Sequence, residues 1–353
     1  MSSFPSSLPT PRTPDSMEAP PLRWGVVGTG WIAERFVAAL LAGTRQRVTV
    51  VASRDLRRAE DFVQRTGAGR AVEGYEELYA ARDVDVVYVA TPHPEHHDAA
   101  LGAIGHGKHV LVEKPIGLDS DQAESIREAA SAAGVFCMEA LWTAFLPKFD
   151  VVRQLLADGV LGRVETVVAD VGEQLPAGHR IFDPALAGGP LLDLGTYPVF
   201  LATEVLGAPN EVLARGVRHP AGVFAQVAAV LGYPLGQAVL HTSLAVDTPV
   251  AAVIAGEAGS IRFDRDFYLP GNFELRETSG RSLSHSEPEV RHAALHFEAA
   301  EVARCIAEGR TESPLRPLAN SLRTLSVLDR IRREIGDYHR ASGSERMRRG
   351  TAR

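Results

Sequence analysis

The segment LRWGVVGTGWIA, residues 22 to 33, restricts the fold more than any other stretch of the chain. Trp24, Val26 and Val27 form a short apolar run of the kind that makes a parallel strand buried on both faces. Gly28, Thr29 and Gly30 follow, then Trp31, Ile32 and, at the third small-residue position, Ala33. From Trp31 onward Ile32, Phe36, Val37, Leu40 and Leu41 recur at helical spacing. Strand, glycine turn and helix in this order is the context in which G-x-G-x-x-G/A signals a dinucleotide site. Gly28 permits the tight turn, Gly30 lets a pyrophosphate approach the backbone, and Ala33 allows close helix–strand packing. The free N–H groups at the helix start face the phosphates.

Further strand–helix units follow. Val48 to Ala52 reads as a second buried strand ending in Ser53 and Arg54. About twenty residues past the glycine turn, an NAD enzyme usually carries an acid for the ribose hydroxyls. Here a hydroxyl and a guanidinium stand there instead, a pair suited to the 2′-phosphate of NADP. Asp55 is expected to cap the next helix, although one residue of displacement would bring it to the ribose and admit NAD. Val84 to Ala90 is a third strand, leading into TPHPEHH, residues 91 to 97. A loop at the carboxyl end of a parallel strand lies where cofactors bind, so Thr91, Pro92, His93 and His96 are candidate cofactor contacts. His109 to Val112 is a fourth strand, stopping at Glu113-Lys114-Pro115. Lys114 stands at the end of a buried strand beside the expected crevice, with Glu113 as a buried partner. A helix over 119–133 and a fifth strand over 135–138 complete a doubly wound parallel sheet.

Near Glu139 the rhythm changes. EALWTAFLPKF reads as a crossover into a second domain, in which a helix over 148–158 precedes strands of period-two alternation. Strands are predicted at 165–172, 211–217, 226–231, 237–244, 250–255 and 260–263, forming a mainly antiparallel sheet, and two helices finish the fold. The expected fold is therefore α/β: a Rossmann domain over 22–142, then an α+β substrate and dimerisation domain over 143–338. Residues 1–21, with six prolines and no apolar core of a signal peptide, read as a disordered leader. Residues 339–353 read as a basic disordered tail.

Composition narrows the function. A formal net charge of −7 provides no electrostatic footprint for nucleic acid. No apolar run reaches the length of a membrane span, so a soluble, cytoplasmic protein is expected. Cys137 and Cys305, the only cysteines, are too few for a disulfide framework, and no metal spacing is present.

The second chemical constellation is DPALAGGPLLDLGTYPVFLATEVL, residues 183–206. Asp193 and Tyr197 stand four apart and are expected on one face of a helix. A free tyrosine titrates near ~10, so a neighbouring cation is needed for it to act as a base close to neutrality. Lys114 is the expected cation, with Asp193 orienting the substrate hydroxyl or Lys114 itself.

GTGWIA, TPHPEHH, VEKP and GGPLLDLGTY in sequence resemble the glucose–fructose oxidoreductase / inositol dehydrogenase / MocA family, over residues 22 to about 336. The resemblance implies a Rossmann domain followed by an open-faced sheet that serves in dimerisation. It implies that Lys114 is the catalytic lysine, completed by Asp193 and Tyr197. Tyr197, EALWTAFLP and the Ser-Arg pair look like the dihydrodiol dehydrogenase branch, mostly NADP-linked and acting on aldoses such as D-xylose or cyclic vicinal diols. His93 stands where many members have asparagine. Trp142, Phe145, His179 and Arg180 are the candidate substrate contacts. A sugar or diol dehydrogenase is the leading reading. The alternatives are a silent NADP-binding sensor, a glycoside hydrolase using NAD, and a nucleotide-sugar ketoreductase.

Overall fold

The computed structural model describes residues 4–337. The first sheet contains β1 (Arg23–Val27), β2 (Arg47–Ser53), β3 (Arg70–Glu73), β4 (Val86–Val89), β5 (His109–Glu113) and β6 (Cys137–Ala140). All neighbours pair in parallel in the order β3-β2-β1-β4-β5-β6. The sheet has six strands rather than the expected five. The strand missed, β3, is a four-residue edge segment with a single buried side chain, Val72, and so carries no readable apolar pattern. The last strand begins two residues later than expected.

Helices α1 (Trp31–Gly43), α2 (Leu56–Thr66), α3 (Glu76–Ala80), α4 (His96–Gly105) and α5 (Ser120–Ala133) cover the two faces. Phe36 of α1 stacks on Tyr88 of β4 with ring centroids 3.8 Å apart and tilts against Trp24 of β1. Leu40 is fully buried beside them, whereas Leu41, expected on the same stripe, is 41% exposed. Each large apolar side chain buried in this way contributes roughly 1.5–3 kcal/mol. The order of strands reverses between β1 and β4, which opens a crevice at their carboxyl ends.

In the second domain α6 (Pro147–Ala157) leads to β7 (Val164–Gly172), and α7 (Pro190–Asp193) and α8 (Thr196–Leu206) follow. Then come β8 (Glu211–Arg218), β9 (Phe224–Tyr233), β10 (Gly236–Ser243), β11 (Ala252–Gly256), β12 (Gly259–Phe263), β13 (Phe273–Glu277) and β14 (Ser282–His285). The eight strands lie in the order β14-β13-β12-β11-β7-β10-β9-β8, with β7 and β10 parallel and the other neighbours antiparallel. Two final helices, α9 (His296–Ala307) and α10 (Leu318–Ile335), return to the parallel domain, where α9 meets α1 and α10 meets α5.

One face of the second sheet is covered by α8 and α10. The other carries a row in register: Leu213, Val230, Val239 and Val168, each between 37% and 55% exposed, on four adjacent strands.

The expectation of a disordered leader over 1–21 is corrected for residues 4–21. Arg12 forms an ion pair with Asp150 at 3.0 Å, His296 bonds the Ser16 hydroxyl, and Ala19 is fully buried. Prolines favour an extended strap, and these side chains anchor it along α6 and α9. The tail expected over 339–353 lies outside the described residues. No helix among the described residues is long and apolar enough to cross a membrane.

Candidate active site

The crevice is built by backbone first. Gly28 has φ of +100°, and a Cβ there would lie 2.5 Å from the Ala90 carbonyl oxygen, so only glycine serves. A Cβ at Gly30 would meet nothing within 4 Å, and Gly30 caps α1 without a side-chain hydrogen bond. The helix start therefore presents free N–H groups to an open space, as an anionic ligand requires. Two buried polar atoms border the same crevice without a protein partner: Thr91 Oγ1 and His93 Nδ1. Burial holds His93 well below the ordinary imidazole range, against the pull of Asp193, so the ring is neutral. An open glycine turn, bare helix N–H groups and orphaned buried polar atoms fit a dinucleotide. Gly28, Thr29, Gly30, Trp31, Ile32, Ala33, Thr91, Pro92 and His93 are the residues that would hold it.

His96 differs from expectation. Its Nδ1 lies 2.8 Å from the Pro115 carbonyl and its Nε2 2.9 Å from that of Thr91. Both ring nitrogens face backbone carbonyls, one of them through the single N–H of the neutral ring, so the polar atoms of His96 are turned to the loops after β4 and β5. Trp31 is 59% exposed at the mouth and meets His292 edge-on at 4.8 Å.

At the end of β2, Asp55 caps α2 by accepting the Arg57 N–H at 2.9 Å, as expected. Ser53 is buried, and Arg54 reaches across to Glu95 at 2.9 Å. The ion pair joins the ends of β2 and β4, the two strands that flank the glycine turn of β1.

Lys114 arrives at the end of β5, its backbone N–H held by Glu113 Oε2 at 3.2 Å. Its ammonium donates to the Asp193 carbonyl at 2.6 Å and to Asp193 Oδ1 at 2.9 Å. Arg180 donates to the other carboxylate oxygen at 3.0 Å. Burial lowers the Lys114 pKa, but Asp193, then Tyr197 and Glu113, outweigh it and keep the ammonium charged. The same pairs hold the buried Asp193 well below the usual carboxylate range, against the cost of its burial.

Asp193 and Tyr197 do not share one helix. Asp193 ends α7 and Tyr197 lies in the first turn of α8. Between them Gly195 packs so closely on α7 that a Cβ would lie 2.6 Å from the Leu191 carbonyl oxygen. The two side chains still converge. The Lys114 ammonium sits 5.1 Å from the Tyr197 ring centroid, over its face. Tyr197 is buried, and its hydroxyl accepts from Trp142 Nε1 at 3.4 Å. Burial raises its pKa further than Lys114 lowers it, so the free protein holds a protonated phenol. The expectation of a phenol brought down towards neutrality is not met in the free protein, because burial outweighs the pull of Lys114. Arranged so, the group is an ammonium–carboxylate pair with a neutral proton donor beside it.

Of the candidate substrate contacts, Trp142 and Arg180 join the site. Phe145 is 3% exposed and belongs to the apolar core, while His179 Nδ1 accepts the Ile181 N–H and caps its own short turn. Tyr268, Glu173 and His292 are also present, unanticipated from the sequence. Tyr268 stacks on Tyr197 with centroids 4.1 Å apart, and His292 stacks on Trp142 at 5.5 Å. They come from three separate connections, after β7, between β12 and β13, and between β14 and α9, with no fixed spacing from Lys114. The aromatic Phe-Tyr before Leu-Pro-Gly at 267–271 was the one available signal.

Glu113 accepts from the Tyr88 hydroxyl, and its own pKa is pushed up to about 7 by burial, against Tyr88 and Lys114. Glu298 of α9 is wholly buried with both oxygens unpartnered, and burial followed by the charge of Glu113 raises it too.

Comparison with known proteins places the fold in a family. Residues 22–141 match the GFO/IDH/MocA model described as an oxidoreductase family with an NAD-binding Rossmann fold. Residues 149–262 match the GFO/IDH/MocA C-terminal domain. The chain is 36% identical over 323 residues to trans-1,2-dihydrobenzene-1,2-diol dehydrogenase of Mus musculus, covering 89% of this chain and 97% of the mouse protein. The Homo sapiens protein of that name is 34% identical over the same shares of each chain. A 3-ketoreductase from Actinomadura kijaniata, solved with NADP and TDP-benzene, has a TM-score of 0.78 at 30% identity, over 90% of this chain and 98% of its own. The aldose-aldose oxidoreductase of Caulobacter crescentus shares the fold, with a TM-score of 0.80 at 23% identity over the same shares.

Proposed function

The chain belongs to the GFO/IDH/MocA oxidoreductase family and is a dehydrogenase acting on CH–OH groups, and from that footing we propose that it transfers hydride between NADP and a sugar or cyclic vicinal diol. The observation that carries the reading is the meeting of Lys114, Asp193 and Tyr197 beside the crevice of the glycine turn. A nicotinamide, when bound, supplies or accepts the hydride. The chain's own residues manage the proton. Tyr197 donates it to a carbonyl being reduced and takes it from a hydroxyl being oxidised. Lys114 stays an ammonium and steadies negative charge on the substrate oxygen, while Asp193, itself braced by Arg180, holds Lys114 in place. General acid–base help of this kind contributes roughly 10²–10⁴ in rate.

Ser53 and Arg54 support NADP over NAD, with the guanidinium exchanging Glu95 for the 2′-phosphate. The NADP in the Actinomadura relative agrees. The row of apolar side chains on the open sheet face supports a homodimer through that face. A second reading, reduction of a nucleotide-linked ketosugar, is favoured by the protonated state of Tyr197 and by the activity of that same relative.

The test is a fluorescence screen for NADPH formation over pentoses, hexoses and cyclic diols. Turnover by at least one of them, abolished in Lys114→Ala, is the expected result. Tight NADP binding with no turnover in either direction would leave a sensor, and cleavage of a glycoside without release of reduced cofactor would leave the hydrolase.

A further inference from the structure

Beyond Tyr197 the same cleft wall carries a second phenol and a second carboxylate. Tyr268 lies face to face with Tyr197, the rings 15° from parallel. Its hydroxyl donates to Glu173 Oε1 at 2.6 Å. Neither member is loosely held. The Tyr268 carbonyl accepts from the Thr143 hydroxyl at 2.9 Å, next to Trp142. Glu173 directly follows the last residue of β7, and its N–H donates to the Ser243 carbonyl at 3.0 Å. Both side chains are half-buried, so they face solvent from a fixed frame. Phenol and carboxylate occupy one oxygen of each other. That leaves the second Glu173 oxygen and a lone pair of the Tyr268 hydroxyl as acceptors one ring away from the proton donor Tyr197. Across the group, the guanidinium of Arg180, 44% exposed, supplies donors from the segment that follows Glu173.

We infer that Tyr268 and Glu173 select the substrate, reading hydroxyl groups remote from the reacting carbon and favouring a polyhydroxylated ring such as an aldose over an apolar aryl or cyclohexyl diol. The inference rests on the dehydrogenase reading above and adds the class of substrate. A rigid carboxylate with a free oxygen is an acceptor that a hydroxyl satisfies and a hydrocarbon leaves unpaired. A site built to bond a hydroxyl rejects the analogue lacking it far more strongly than an apolar pocket rejects an extra hydroxyl.

The experiment compares wild type, Glu173→Gln, Glu173→Phe and Tyr268→Phe. Steady-state kinetics use D-xylose, D-glucose and trans-1,2-cyclohexanediol. Binding of the same compounds to the NADP-loaded proteins is followed separately by saturation-transfer NMR. In Glu173→Phe the ratio of kcat/KM for aldose over diol is expected to fall tenfold or more, through KM rather than kcat. Glu173→Gln is expected to fall between, because the amide still accepts a hydrogen bond. An unchanged aldose KM in Glu173→Phe, or an equal loss for aldose and diol in a protein whose melting temperature is intact, overturns the inference. Should wild type bind aldose without turning it over, loss of that binding in Glu173→Phe upholds the recognition role while the dehydrogenase reading fails; retained binding overturns both.

Discussion

At the residue scale the site is an exercise in which charges are neutralised and which are left. Burial of the phenol outweighs the pull of Lys114, which Asp193 already pairs, so Tyr197 keeps its proton despite the ammonium over its ring. This has a kinetic consequence. Ketone reduction is expected to be flat through neutral pH, whereas alcohol oxidation rises continuously from pH 7 to about 10, as the phenol approaches its pKa. An oxidation profile that levels off near pH 7 would show a base other than Tyr197. Asp193→Asn removes the carboxylate that anchors both Lys114 and Arg180. It is expected to cut kcat by one to three orders of magnitude while leaving the dissociation constant for NADPH within about threefold. The cofactor end is governed by a weaker, exposed pair. Arg54→Ala is expected to raise KM for NADP much more than for NAD. Glu95→Gln, which removes the anion that Arg54 now holds, is expected to tighten NADP binding by up to about fivefold, the limit for an exposed pair. Fluorescence titration with NADPH and NADH checks both, and equal effects on the two cofactors would remove Arg54 from the 2′-phosphate. The places of Ser53, Arg54 and Lys114 at strand ends were legible because each follows a buried apolar run, whereas Asp193 and Tyr197 converge across a helix break that their four-residue spacing did not reveal. His96 was misread because a histidine in a cofactor loop gives no sign that two carbonyls will take its ring nitrogens. Phe145 was misread because an aromatic residue in a crossover is equally suited to core and pocket.

At the scale of elements, α9 places Glu298 among apolar side chains with no hydrogen-bond partner, facing the charge of Glu113 at the end of β5. Glu113 titrates at about 7 in the fold, against an ordinary value of 4.5. Between those two values the folded protein binds more protons than the unfolded chain. Stability contributed by this group is therefore full below about pH 4.5 and is lost as pH rises towards 7. A shift of that size corresponds to roughly 3 kcal/mol. The melting temperature is expected to fall between pH 5 and 8, and Glu298→Gln is expected to flatten the fall by removing the second carboxyl. An unaltered slope in the variant would mean that Glu298 does not influence the titration of Glu113. Glu139 at the end of β6 makes the opposite case. Its carboxylate accepts from the Ile116 N–H, from Arg316 and from Ser321 of α10, wholly inside the protein. Arg316→Met leaves that carboxylate buried without its cation and is expected to cost about 3–5 kcal/mol, measurable by chemical denaturation. Elements with strong apolar periodicity, β1, α1, β2, β5 and α10, were readable in advance. The edge strands β3 and β14, and β13 beside the latter, were not, since each is only four or five residues long. The break at Gly195 between α7 and α8 was hidden by an unbroken run of helix-compatible residues.

At the scale of the whole molecule, the parallel sheet supplies the glycine-turn crevice and Lys114, and the second domain supplies Asp193, Tyr197 and the proposed substrate contacts. The proline-rich strap over 4–21 and helices α9 and α10 tie the two together. The reading of that strap as disordered failed because composition reports chain stiffness and polarity but not the docking of Arg12 on Asp150. The open face of the second sheet leaves Leu213, Val230, Val239 and Val168 in one exposed row. Val168→Asp with Val239→Asp is expected to shift the protein from dimer to monomer in sedimentation velocity, and a wild type that sediments as a monomer at micromolar concentration would refute the dimer. The central claim is that a lysine from one domain and a phenol from the other act on one small molecule. Its most direct measurement is kcat of Tyr197→Phe beside wild type on whichever sugar or diol the NADPH screen identifies. A fall of about 10²–10⁴ with NADPH affinity retained is the predicted result; a kcat equal to that of wild type would contradict it.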